Sequence, residues 1–183
     1  MVWDPTGTCR IPGWAICRQP GELREILARA GPQLPLRAIY QPQEGGRVAH
    51  FEAVAWMCIR RKNLILAVDE VDELCNVHTW KIDKEYWRTH HGAVPALQHI
   101  VEWGRHVPMG MVCTSRNPSA VRRAITRNAY EIDVFQDGEP ADLEYFRKRF
   151  GAETEQTIRT LPQYHYAEYI EGRPLQIRKS VKA

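Results

Sequence analysis

Asp69 and Glu70 are adjacent carboxylates that close an unbroken apolar run, Asn63-Leu-Ile-Leu-Ala-Val-Asp-Glu70. A run of this kind reads as a strand buried on both faces of a parallel sheet. The two acids then stand at its carboxyl end, where open α/β sheets bind their ligands. Charge is rarely left at a buried strand end without a partner. Mg²⁺ accompanied by phosphate oxygens is one such partner. An ordinary strand whose acids mark its exit into a loop is the other reading.

Other reactive side chains are less orderly. His90 and His91 are adjacent and therefore point in different directions, and no third metal ligand accompanies them. The 5 cysteines form no CxxC pair. Cys58 and Cys113 lie inside apolar elements. Free thiols in a reducing cytoplasm are expected, and a structural zinc site is not. Basic residues cluster twice, at Arg122, Arg123 and Arg127 and again at Arg147, Lys148 and Arg149. Each cluster is either a phosphate-contacting surface or a solvated helix face.

The elements that position these residues alternate between strand and helix. An opening strand, Met1–Gly7, ends in a Pro/Gly turn, and an apolar patch follows around Trp14–Cys17. Pro20–Ala30 is predicted as a helix with Pro in its first turn and Gly31 closing it. Leu36–Gln41 is a strand between prolines, and a helix follows Gly45-Gly46 up to the basic run Arg60-Arg61-Lys62. After the strand at 63–70 comes an irregular, aromatic-rich stretch over 71–92, the length of a functional loop. A helix over 94–104, a strand over 108–115, a helix over 118–129, a strand over 132–136 and a helix over 140–150 complete the alternation. The chain ends in a two-stranded ribbon, 165–171 and 174–179. This is the pattern of a three-layer α/β sheet.

At 183 residues, 44% hydrophobic and 26% charged, the chain has the balance of a globular domain with a real core. Its net charge of +3 permits nucleic-acid contact without arguing for it. No apolar run is long enough for a membrane span, and no membrane partner is expected.

The order of the pieces carries a resemblance. Asp69-Glu70 is followed by a helix ending in Gly104-Arg-His106, a strand ending in Thr114-Ser115-Arg116-Asn-Pro118, a helix, and Ile132-Asp-Val-Phe-Gln136. This series resembles the distal half of the FtsK–HerA branch of P-loop ATPases, in particular phage and mobile-element members that translocate or package DNA. Val2-Trp-Asp-Pro-Thr-Gly7 is similar to the strand that follows the P-loop helix in that branch. The resemblance implies a RecA/ASCE-type sheet over 1–160 with a β-ribbon appendage over 161–183. It implies that Asp69 is the Walker B aspartate holding Mg²⁺, and that Glu70 is the general base for the attacking water. Thr114 and Ser115 fall at the end of the sensor strand near the γ-phosphate of ATP, and Arg105 matches a basic position that reaches phosphate or a neighbouring subunit. A surface arginine at a helix end is the other reading of Arg105. Where the family commonly has Gln, this chain has Arg116; Arg only donates, whereas Gln both donates and accepts. Arg122, Arg123 and Arg127 would contact DNA, and the complete unit would work as a homo-oligomeric ring in the cytoplasm.

The phosphate-binding motif GxxxxGK[ST] is absent from the sequence. In the family its strand lies between the sensor strand and the strand at 132–136, so the sheet is expected to lack a partner there. ATP and Mg²⁺ binding is accordingly expected only with such a segment supplied. The alternative is a degenerate, non-catalytic interaction or regulatory module.

Overall fold

A computed structural model describes residues 1–31, 35–43, 45–89, 94–106 and 108–180, with Tyr86, Trp87 and Arg105 described by backbone alone. The chain divides into two compact units, Met1–Arg116 and Asn117–Ala183. The first holds strands β1 (Val2–Trp3), β2 (Ala15–Cys17), β3 (Ala38–Tyr40), β4 (Leu64–Val68) and β5 (Met109–Cys113). All pair in parallel, in the order β2-β3-β1-β4-β5. Its helices are α1 (Pro20–Ala30), α2 (Arg47–Arg61), α3 (Lys84–Thr89) and α4 (Ala96–Trp103).

The handedness of parallel connections sets which face these helices cover. From β2 to β3, β3 to β4 and β4 to β5 the chain always moves across the sheet in one direction. Right-handed crossovers then place α1, α2 and α4 on the same face. The side chains agree. Cys17, Tyr40, Trp3 and Val68 are in register across the sheet, and all are buried. Trp3 stacks on Tyr40 at 5.5 Å and meets Phe51 of α2 edge-on at 5.1 Å.

The opposite face corrects one expectation. β4 is not buried on both sides: Ile65 is 62% exposed, and Val112 of β5 is 60% exposed. Leu66 and Val68, facing the helices, are buried. The apolar run that suggested a two-sided interior strand has one covered side, because every helical crossover falls on that side.

Four further differences concern local structure. The stretch after β4 is more regular than a loop, with a 3-10 turn at Val71–Glu73, a Cys75–Trp80 bridge and α3. His90 and His91 lie outside the described residues. The helix expected over 118–129 is a 3-10 turn, Pro118–Ala120, and then α5 (Arg123–Asn128). The strand expected within the main sheet, β6 (Glu131–Phe135), instead pairs antiparallel with β7 (His165–Ile170), which pairs with β8 (Gln176–Lys179). The C-terminal ribbon is thus three-stranded. Beside it run α6 (Pro140–Phe150) and α7 (Ala152–Arg159), the latter unexpected because its few apolar residues make a weak stripe. Val134, Leu143, Phe146 and Ile158 form the core of this second unit, and Phe150 stacks on Tyr169 at 3.8 Å.

Buried polar groups fasten both units. Both oxygens of Glu52, on α2, accept the Ala96 N–H at the start of α4, at 3.1 and 2.9 Å. Pro95 caps α4 without a side-chain acceptor, so Glu52 supplies the acceptor that the first N–H of the helix needs. In the second unit buried Asp142 accepts the Ser119 N–H at 2.6 Å. Glu52→Ala is expected to lower unfolding free energy by about 1–3 kcal/mol, because a buried donor loses its acceptor. Glu52→Gln, which keeps an acceptor oxygen, should lose less. Urea denaturation of the two variants checks the ordering.

Candidate functional site

Parallel pairing of β4 with β5, Val68 opposite Cys113, carries Asp69-Glu70 and Thr114-Ser115-Arg116 side by side off the same end of the sheet. The backbone continues the ladder past the strands. Thr114 N–H donates to Val68 O at 3.0 Å, and Val71 N–H donates to Thr114 O at 2.9 Å. The Thr114 hydroxyl accepts the Glu70 N–H at 3.2 Å and donates to Asp69 Oδ1. One hydroxyl thus fixes both members of the acidic pair. Ser115 Oγ donates to Asp72 Oδ1 at 2.7 Å, in the turn that follows the pair.

Glu70 takes a left-handed backbone conformation, φ 52°, which costs a non-glycine residue about 1–2 kcal/mol. The conformation turns the chain directly from β4 into the Val71–Glu73 turn. Such strain persists only where surrounding contacts enforce it, and it clusters at functional sites. The Glu70 carboxylate meets the Arg116 guanidinium at 2.5 Å; its side chain is 14% exposed, while that of Arg116 is 80% exposed. The sequence marks Arg116 only as a departure from a pattern. The ion pair itself is not foreseeable there, because an arginine so far along the chain gives no local signal.

A second carboxylate organises the neighbouring strand end. Asp4 follows β1, which lies beside β4, and Asp69 N–H donates to Trp3 O at 3.1 Å. Asp4 is buried and accepts from Thr6 Oγ1, Gly7 N–H, Cys9 N–H and Gln41 Nε2 at 2.8–2.9 Å. Burial opposes its ionisation, but the hydrogen bonds from Thr6, Cys9, Gln41 and Gly7 outweigh it and hold the carboxyl below its usual range. The Asp-Pro-Thr-Gly segment is therefore a polar turn built around one carboxylate. Behind the acidic pair, Arg47 grips both oxygens of Glu73 at 2.9 and 2.8 Å.

The remaining sequence candidates lie elsewhere. Arg105 is in the 3-10 turn Gly104–His106, and its side chain is outside the described residues. Arg123 and Arg127 are exposed and one helical turn apart on α5, whereas Arg122 is half-buried as its cap. In the other basic cluster, Lys148 pairs with Glu144, Arg147 with Glu155, and Arg149 donates to Thr126 O. Among the described residues the one carboxylate group close enough to share a metal is Glu131, Asp133 and Glu168, on the ribbon. Burial, then Glu131 and Glu168, push Asp133 up to about 6. Three thiols sit above the ordinary cysteine range. Burial raises Cys58 to about 12, and Cys17 and Cys113 to about 11.

No protein-family model matches the chain, and no curated protein matches it. Its fold does match solved structures. The genome packaging NTPase B204 from Sulfolobus turreted icosahedral virus 2, in complex with ATP-gammaS, aligns with TM-score 0.71 at 15% identity over 99% of this chain and 82% of its own. The same protein with AMPPCP gives TM-score 0.70 at 16% identity, and with sulfate 0.68 over 80% of its chain. B204, the DNA-packaging ATPase from Sulfolobus turreted icosahedral virus, aligns with TM-score 0.58 at 18% identity over 80% of this chain and 68% of its own. The chain thus has the fold of these packaging NTPases, and no helix among its described residues is long and apolar enough to cross a membrane.

Thr114→Val removes both hydrogen bonds to the acidic pair and is expected to cost about 0.5–1.5 kcal/mol, with Thr114→Ser nearly neutral, by urea denaturation. Asp4 is more acidic folded than unfolded. Its contribution is complete above the unfolded value of about 3.9 and is lost as pH falls through the lower folded value. Asp4→Asn should therefore be less stable than the parent at pH 7, and the difference should shrink toward pH 2 in a pH series of thermal melts.

Proposed function

We propose that the chain is the acidic-pair and sensor half of a nucleotide-hydrolysing motor domain of the DNA-packaging type. One observation carries the reading: a single hydroxyl, Thr114, ties Asp69 and Glu70 at the carboxyl end of a parallel sheet. The sheet belongs to a fold shared with packaging NTPases solved with nucleotide analogues.

The donors suit a hard cation. Mg²⁺ is held by one or two carboxylates, with water and phosphate oxygens completing its shell. Asp69 would hold it, with Thr114 fixing the carboxylate's orientation. When bound, the ion would draw charge from the β- and γ-phosphates of ATP. Glu70, fixed in position by its backbone bond to Thr114, would accept a proton from the attacking water. Its ion pair with Arg116 runs through Oε1, so Oε2 would take that role. Ser115 would hold Asp72, and with it the turn after β4. Arg105 would contact phosphate, on its own nucleotide or that of a neighbouring subunit in a ring. Exposed Arg123 and Arg127 would contact DNA phosphates. The second reading, a non-catalytic interaction module, is favoured by one feature: Arg116 already occupies the carboxylate that would act as base.

ATP binding in this class relies on backbone N–H groups and a lysine of a glycine-rich loop. This chain is therefore expected to bind ATP weakly alone, and tightly once a GxxxxGK[ST] strand–loop–helix is joined to it. In the completed protein Glu70→Gln should lower ATP turnover by about 10²–10⁴-fold with binding retained, the usual contribution of a general base. Isothermal titration and steady-state hydrolysis check both. If the completed parent protein binds ATP without turning it over, the non-catalytic module is supported instead; turnover unchanged by Glu70→Gln would remove Glu70 from the role of base.

A further inference from the structure

The ion pair between Glu70 and Arg116 joins two unequal partners. Its closest approach, Arg116 Nη2 to Glu70 Oε1, is 2.5 Å; the arginine side chain is 80% exposed and the glutamate 14%. Glu70 is fixed from behind. Thr114 Oγ1 accepts its N–H at 3.2 Å, and its backbone is left-handed, φ 52°. Arg116 is a long side chain lying largely in solvent, two residues past the end of β5. Ion pairs with so open a member contribute little and are screened by salt, so a stronger anion displaces them. A guanidinium only donates, and its planar fork fits carboxylate and phosphate alike. At this position the chain departs from the Gln of the branch it resembles, so the role argued next is its own.

We propose that Arg116 is a phosphate-responsive gate on Glu70. It holds the carboxylate while the site is empty and passes to the terminal phosphate of a nucleoside triphosphate when one binds. The gate deepens the reading above and rests on it. A base must lie within hydrogen-bond reach of the water that attacks the terminal phosphate, so the group paired with that base faces the same phosphate. While the pair stands, Arg116 and the attacking water compete for one carboxylate. The phosphate presents three oxygens and takes two parallel N–H bonds from the fork. A ligand shifts such an equilibrium only by its difference in affinity for the two arrangements, and here that difference is the terminal phosphate itself. When the guanidinium leaves, the Thr114 bond and the left-handed backbone keep Glu70 in place, so the arginine alone moves. A nucleoside diphosphate lacks the competing anion and leaves Arg116 on Glu70.

The test reads binding rather than turnover. On the chain alone, the Arg116 guanidinium signal in a nitrogen-15 spectrum, identified by its loss in Arg116→Met, should move on Glu70→Gln, because the pair then breaks. On the protein completed with a GxxxxGK[ST] segment, isothermal titration compares AMPPCP, which keeps a third phosphate, with ADP, which lacks it. Arg116→Met should weaken AMPPCP about tenfold, the usual loss for hydrogen bonds to a charged group, and leave ADP unchanged. Glu70→Gln removes the competitor for Arg116 and should tighten AMPPCP by about two- to fivefold, the scale of an exposed ion pair. In the Arg116→Met background the same change should have no effect. Arg116→Lys, which keeps the charge without the fork, should fall between parent and Arg116→Met.

Four results would overturn the gate while leaving the nucleotide reading standing. The first is a guanidinium signal indifferent to Glu70→Gln. The second is AMPPCP binding untouched by Arg116→Met, which makes the pair a static surface contact. The third is equal weakening of AMPPCP and ADP, which makes Arg116 a general support of the site. The fourth is tightening by Glu70→Gln that persists without Arg116, which is plain repulsion between carboxylate and phosphate. A completed parent that binds neither nucleotide would overturn the reading above and the gate together.

Discussion

Parallel registry between neighbouring strands is the constraint on which the site depends. In a parallel sheet every strand ends at the same side, so residues distant in sequence leave it together. Asp4, Asp69 and Thr114 follow β1, β4 and β5, and the registers Trp3–Val68 and Val68–Cys113 deliver them to one edge. A one-residue slip of β5 would turn Thr114 to the opposite face and part it from Asp69. The buried Trp3, Tyr40 and Phe51 contacts resist such a slip, because they fix which residues face the helices.

Polar anchoring follows from that registry. Strand ends leave backbone donors without ladder partners, and burial makes each one costly. The chain answers with carboxylates: Asp4 gathers the turn after β1, Glu52 caps α4, and Asp142 holds the Pro118–Ala120 turn to α6. Asp69 and Glu70 differ from these. Their carboxylates meet a hydroxyl and a largely exposed arginine rather than a shell of backbone donors, and Glu70 is held in a left-handed conformation.

The exposure of Ile65 and Val112 on the face away from the helices comes from topology rather than composition. Three crossovers in one direction place three helices on one face, and the β1–β2 connection, the one that runs the other way, contains no helix among its described residues. Ile65 and Val112 are as apolar as Leu66 and Val68. Their exposure therefore marks a position in the fold, not a local preference for water.

Much of the secondary structure was legible in the sequence. Pro20 and Gly31 bracket α1, Pro140 and Gly151 bracket α6, and the acidic pair was placed at a strand end from eight consecutive residues. These are local signals: a fixed φ, a left-handed cap, an apolar run meeting charge. What the sequence left undetermined involves partners far along the chain. The Glu70–Arg116 ion pair, the Glu52 cap on α4, the union of β6 with the ribbon and the bare face over Ile65 each join elements that periodicity treats separately. An apolar residue in a strand records only that one face is suited to burial. Whether anything covers it is decided by the direction in which the chain crosses the sheet, and only the assembled fold holds that information.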